Sequence, residues 1–206
     1  NNTGNTMNLS IRTRLHSGFA LVVLLFFGAL AVTGWQSQRV RLLSQKVELQ
    51  ADLSAMAERW SGNARQNSAR VIGIAYSGGP DLAFEFEGQI KAVVKDSAEL
   101  QTNYLAKVGN PESKRLAETV VAAGVDWLAV QEKVVQGKKE GADTATRRLA
   151  KDELLPKTAL YVRATQELAD AERAVLTELR KDIDAQFSRL FQVLGLLFVL
   201  TTGFAA

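Results

Sequence analysis

The 206-residue chain has no cysteine, one histidine and three prolines. Without cysteine there is neither a disulfide framework nor a thiolate metal site. With His16 alone, a histidine metal cluster and a Ser–His–Asp triad are both excluded. An excess of one charge is also missing. Lys and Arg number 25 against 22 Asp and Glu, for a net charge of +3, and the signs are interleaved almost everywhere. A nucleic-acid surface would gather its cations on one face, so no nucleic-acid partner is expected. The small net charge and the 47% hydrophobic content exclude a disordered chain. No acid–base pair converges on identifiable loops, and Gly137–Gly141 lacks phosphate-loop spacing and follows no strand. Neither an enzyme nor a cofactor is expected, and no metal.

Two apolar runs without charge stand near the ends, residues 17–38 and 190–206. Each is read as a transmembrane helix, the first long enough at about 1.5 Å per residue to cross about 30 Å of hydrocarbon. The rival readings are a cleaved signal peptide ending at Ala29-Leu30-Ala31 and a buried core helix. Arg12 and Arg14 favour a cytoplasmic tail over residues 1–16, although Arg39 and Arg41 weaken the asymmetry. Met7 reads as the natural start. The second run is still apolar at Ala206, which is read as the front part of a longer protein. The expected location is a bacterial inner membrane, multi-pass, with residues 39–189 in the periplasm and lipid as one partner.

Turn signals cut the middle into helical stretches. The first runs to Tyr76 and stops at Ser77-Gly-Gly-Pro80. The second runs from Asp81, read as its N-cap, to Lys107. The third starts at Pro111, suited to a first helical turn, and ends near Gly137. Gly137–Gly141 is read as a solvated loop before a short helix to Leu154, and Pro156 opens the last stretch. No segment alternates with a period of two, so strands are not expected. Leu116, Val120, Ala123, Trp127, Val130 and Val134 repeat in steps of four and three, the seam of antiparallel packing. The second helix carries Phe86, Ile90, Val93, Val94 and Tyr104, and the last carries Tyr161, Thr165, Leu168, Leu179 and Ile183. The expected fold class is all-α, an up-down-up-down antiparallel four-helix bundle flanked by two transmembrane helices.

On the first helix Leu49, Leu53, Met56, Trp60, Asn63, Asn67, Arg70 and Ile74 share one face. Its distal half is polar, and amides or a guanidinium left unpaired there are costly. Either neighbouring carboxylates such as Glu99 or Asp126 close the cluster, or Asn63, Asn67 and Arg70 line a pocket in which the guanidinium takes a carboxylate. One charged hydrogen bond nets about 1.5–3 kcal/mol, whereas micromolar binding needs about 8, so other helices must contribute. Trp127 and Gln131 on the third helix, and Tyr161 and Thr165 on the last, are the candidates. Arg65 and Arg59 point elsewhere.

Trp60 followed by Asn67-Ser-Ala-Arg70, Gly141-Ala-Asp-Thr-Ala and Leu155-Pro-Lys-Thr-Ala-Leu-Tyr161 resemble the sensing domain of bacterial methyl-accepting chemotaxis receptors. The resemblance covers most of the chain from Met7. It implies a ligand-sensing, transmembrane-signalling function, a homodimer, and a small-molecule ligand or a periplasmic binding protein as partner. Signalling would proceed by a displacement of the last helix. Relatives that bind dicarboxylates often carry Arg-x-x-Tyr-x-x-x-Arg on the third helix, where this chain has Gly124, Trp127 and Gln131. That departure leaves an amino acid or an aromatic acid open as ligand. The input domain of a sensor histidine kinase or diguanylate cyclase, and a bundle that binds nothing, remain the alternatives.

Overall fold

The computed structural model describes residues 11–205, with side chains chiefly over residues 40–196. The chain is all-α, with no strand among the described residues. The order is α1 (Ile11–Tyr76), α2 (Asp81–Glu85), α3 (Glu87–Lys107), α4 (Pro111–Lys139), α5 (Asp143–Leu149), a π-helical turn (Ala150–Leu154) and α6 (Leu155–Ala205). The tail expected over residues 1–16 lies outside the described residues as far as residue 10, as does Met7, and the chain is helical from Ile11.

Among the described residues, no helix is long and apolar enough to cross a membrane. This overturns the two transmembrane helices and, with them, the multi-pass inner-membrane location and its periplasmic centre. The physical reason is that charges border the apolar stretches wherever side chains are described. Arg41, Lys46 and Glu48 recur along α1, and Lys181, Asp182, Asp184 and Arg189 along α6. A span extended to include them would meet about 2.5–3.5 kcal/mol for each Lys, Arg or Asp near the bilayer centre. Most side chains of the apolar runs 17–38 and 190–206 lie outside the described residues.

The chain divides into two compact units, Val47–Arg180 and the remainder up to Lys46 and from Lys181. In the latter, Val40 and Leu43 of α1 and Ile183 and Phe187 of α6 surround a small gap of about 10 Å³. Its described apolar side chains Phe19, Phe27, Phe191 and Leu196 are exposed.

In Val47–Arg180 the core is one cluster to which α1, α3, α4 and α6 all contribute. On α1 the buried column is Leu53, Ala57, Trp60, Ala64, Asn67, Val71 and Ile74, stepping by four and three. The sequence-based stripe shares Leu53, Trp60, Asn67 and Ile74 with it but takes Met56, Asn63 and Arg70 in place of Ala57, Ala64 and Val71. Small side chains win the central positions because they let neighbouring helices carry bulk. Met56, Asn63 and Arg70 are left half-buried at the margin. On α4 the column is Ser113, Ala117, Val120, Gly124, Trp127, Gln131, Val134 and Lys138. Leu116 and Ala123 stand beside it. Fully burying one large apolar side chain contributes about 1.5–3 kcal/mol, so columns of this length outweigh helix propensity.

The ends of the elements follow local chemistry. Asn110 caps α4, its side chain accepting from the Glu112 and Ser113 amides at 2.9 and 3.4 Å, with Pro111 at the first helical position. Pro80 takes the cap position before α2, so Asp81 is its first residue. The expected second helix is interrupted at Phe86 into α2 and α3. Gly137 is not in a loop but inside α4, which ends when Gly141 adopts φ +76° and the Gly141 and Ala142 amides bond back to Lys138 and Gly137. Lys138 is fully buried and ties Ser77 O at 2.8 Å and Asp143 at 2.6 Å. Pro156 does not break the last helical run. It has no amide for a bond four residues back, and the π turn immediately before it widens the spiral there.

Two glycines test this packing. A Cβ on Gly73 meets nothing within 4 Å, whereas one on Gly137 falls 2.8 Å from Thr146 Oγ1. Gly73→Ala is expected to stabilise the fold by about 0.8–1 kcal/mol through helix propensity. Gly137→Ala is expected to lose that gain and destabilise by about 1–3 kcal/mol through overpacking. Urea unfolding followed by circular dichroism distinguishes them; equal shifts of the same sign would refute the packing at Gly137.

Candidate functional site

A column of three aromatic rings crosses the middle of Val47–Arg180. The Trp60 indole on α1 donates from Nε1 to Tyr161 Oη on α6 at 3.2 Å. Tyr161 stacks on Trp127 of α4, with centroids 5.5 Å apart and planes inclined by 25°. Trp127 Nε1 donates in turn to Thr158 Oγ1 at 2.8 Å. Gly124 makes room, since a Cβ there would lie 3.2 Å from the Tyr161 ring. Burial pushes the Tyr161 hydroxyl above its usual range.

Beside this column is a cavity of about 100 Å³ lined from α1, α3, α4 and α6. Four of the seven expected residues meet there: Asn63, Asn67, Trp127 and Tyr161. Val93 and Val94 of α3 and Val120 and Val121 of α4 supply apolar wall, with Ser97 and Gln101 as further polar lining. Asn63 Nδ2 donates to Asp96 Oδ2 at 2.7 Å and to Ser97 Oγ at 3.3 Å. Asp96 is also paired with Arg59. Asn67 Nδ2 donates to Gln131 Oε1 at 3.0 Å across to α4, both side chains being buried.

The other three stand apart. Gln131 reaches Asn67 but lines an adjoining groove of about 680 Å³ between α3 and α4, which shares Val94, Ala98 and Leu128 with the cavity and is ringed by Glu87, Lys91, Lys95, Glu132 and Lys139. Lys139 and Lys91 beside Glu87 hold its carboxyl down at about 2. Thr165 is buried, and its hydroxyl is spent on Val162 O of its own helix at 2.9 Å. Arg70 is half-buried and lines neither space. Its Nη1 is enclosed without a hydrogen-bond partner. No guanidinium is therefore available to a carboxylate in the cavity. Neither Glu99 nor Asp126 closes the amide cluster; Asp96 and Gln131 take that place.

Residues absent from the sequence-based set include Trp60 as a ring donor, Asp96, and a buried group nearer the other end. There Glu172 of α6, 1% exposed, accepts from Tyr104 Oη of α3 at 2.6 Å and from Gln50 Nε2 of α1. Burial first, and the Glu172 carboxylate second, drive the Tyr104 hydroxyl far upward. The signal for Glu172 was present: it fills the step after Leu168 in the stripe Tyr161, Thr165, Leu168.

Neither a family model nor a curated protein matches the chain.

The two shifted tyrosines set a pH dependence. Both folded-state values lie above the unfolded one, so their contribution is complete below about pH 10 and is lost as pH rises further. In Tyr76→Phe, which leaves Tyr104 and Tyr161 as the only tyrosines, tyrosinate absorbance is expected to rise only together with loss of helical circular dichroism. Ionisation before unfolding would contradict the enclosed geometry.

Proposed function

We propose that Val47–Arg180 is a ligand-sensing helical domain of the kind found in chemotaxis receptors, built as an up-down-up-down four-helix bundle of α1, α3, α4 and α6. The order of residue pairs supports the topology. Asp52 meets Lys107 while Arg59 and Asn63 meet Asp96, so α1 and α3 run in opposite senses. Gln50 and Glu58 meet Glu172 and Arg173 while Trp60 meets Tyr161, so α1 and α6 do likewise.

The observation that carries the sensing role is the cavity itself, set among four helices with amide and aromatic lining and open to solvent beside Ala98 and Val125. Tyr161 is the α6 residue on its wall and is held by rings from α1 and α4. A molecule seated there presses on α6 through Tyr161. If it binds two positions of that helix unequally, it shifts their populations, and displacements of about 1–2 Å are the usual scale at packed helix interfaces.

Thermal-shift screening of the full chain against amino acids and small organic molecules tests the reading. A ligand at a hundred times its Kd is expected to add about 2.7 kcal/mol to stability. Ala98→Phe, which places bulk on an exposed lining position, is expected to weaken any hit at least tenfold. Hydrogen exchange along residues 158–169 is expected to change on binding. Absence of any hit, or hits indifferent to Ala98→Phe, would remove the proposal.

A further inference from the structure

The groove between α3 and α4 carries charge that the cavity lacks, and its use as a binding site stands whether or not the cavity senses anything. Its floor is apolar, formed by Ile90 and Val94 of α3 and Leu128 and Val135 of α4. One polar side chain is set among them. Gln131 is 7% exposed, and its Oε1 accepts from Asn67. Its Nε2 has no acceptor among the described residues, yet the enclosed unpartnered atoms are Asn67 Oδ1, Ser68 Oγ and Arg70 Nη1. Gln131 Nε2 therefore keeps access to the outside, and the open space that Gln131 lines is this groove. Turning both amides over would leave the two N–H groups of Asn67 buried without acceptors, which is costlier than one idle carbonyl.

The rim sets Lys91, Lys95 and Lys139 against Glu87 and Glu132. Glu87 is bound to both Lys91 and Lys139, at 2.8 and 2.7 Å. Lys95 has only Glu99 among the described residues, at 3.9 Å and outside the lining. Eight residues on from Glu87 is Lys95, and eight back from Lys139 is Gln131. On antiparallel helices joined by the Glu87–Lys139 pair, Lys95 and Gln131 thus stand level across the groove. A carboxylate at that level accepts from the Gln131 amide and meets the Lys95 ammonium. A cationic head drawn to Glu132 instead would leave the amide donor unmet. The volume, about 680 Å³, falls among small-molecule sites of about 300–1,000 Å³. We propose that the groove binds an organic anion, its apolar body on the floor of isoleucine, valine and leucine and its carboxylate between Gln131 Nε2 and Lys95 Nζ.

Three naphthalenes of similar shape test this: 2-naphthoate, the neutral 2-naphthamide and the cationic 2-naphthylmethylamine. Titrated at pH 7 into the ¹⁵N-labelled full chain, 2-naphthoate is expected to move the side-chain amide resonances of Gln131. The neutral amide should bind about five- to tenfold more weakly, the difference between a charged and a neutral acceptor, and the amine should leave those resonances in place. Gln131→Glu keeps an acceptor for Asn67 and puts a negative charge where the donor was, so it is expected to weaken naphthoate at least tenfold. Lys95→Ala, at an exposed side chain, is expected to weaken naphthoate about two- to fivefold and to leave the neutral amide unchanged. This second variant decides the matter if Gln131→Glu does not fold. Neither residue lines the cavity, so both report on the groove even if the cavity takes no ligand. The amine binding as tightly as naphthoate, naphthoate indifferent to either folded variant, or no shift at Gln131 with any of the three overturns the proposal.

Discussion

Large rings can occupy the middle of a helical core only where facing positions give up volume. Here that constraint organises everything near the cavity. Tyr161 lies flat against Trp127 because Gly124 offers no Cβ to its ring. Trp60 reaches the Tyr161 hydroxyl from an α1 column otherwise filled at its neighbouring steps by Ala57 and Ala64. Three side chains from three helices are thereby locked to one another by a stack and one directional hydrogen bond, and Trp127 is held in turn by its bond to Thr158. Aromatic pairs add about 0.5–1.5 kcal/mol beyond the area they bury, and the indole donors fix which atoms must face each other. The cavity is the volume that this arrangement of large and small leaves over, with valines of α3 and α4 along its wall.

Buried polar groups on either side of the rings hold the register. Glu172 with Tyr104 and Gln50 joins α6, α3 and α1, and Lys138 with Ser77 and Asp143 joins α4 to the turn after α1 and to the start of α5. A slip of one helical turn would leave a carboxylate or an ammonium buried without partners, a penalty of several kcal/mol. Apolar columns repeating every three or four residues tolerate such a slip much better. Uniqueness of the packing therefore comes from these few charged groups, while most of the burial energy comes from alanine, valine and leucine.

The helices were legible from breakers and periodicity: the stop at Tyr76, the start at Pro111 and the interruption after Lys107 all stand where the turn residues put them. The inner faces were legible only in part. A stripe drawn from large side chains found Trp60, Trp127 and Tyr161 but passed over Ala57, Ala64 and Gly124, since smallness carries no hydrophobic signal until a partner ring is known. Arg70 was misplaced for the same reason, one step of the column belonging to Val71 instead. Glu172 was hidden by its charge, although its spacing marked it as internal. The π turn at Ala150–Leu154 resolves what looked like a break at Pro156, because a widened spiral accommodates proline without ending the helix.

Satisfaction of buried polar atoms is the rule in a well-packed core, and the exceptions point to where evolution has left something undone. Among the described residues three such side-chain atoms lack a hydrogen-bond partner: Asn67 Oδ1, Ser68 Oγ and Arg70 Nη1. All three lie within one turn of α1. The same helix finds partners for Gln50, Arg59, Trp60 and Asn63, so a general shortage of partners does not explain the cluster. An apolar side chain at position 67, as at its column neighbours Ala64 and Val71, would leave the buried Gln131 Oε1 without its partner, at a cost of about 1–3 kcal/mol. The Asn67–Gln131 bond joins α1 to α4 in the core even though Asn67 Oδ1 stays unpaired.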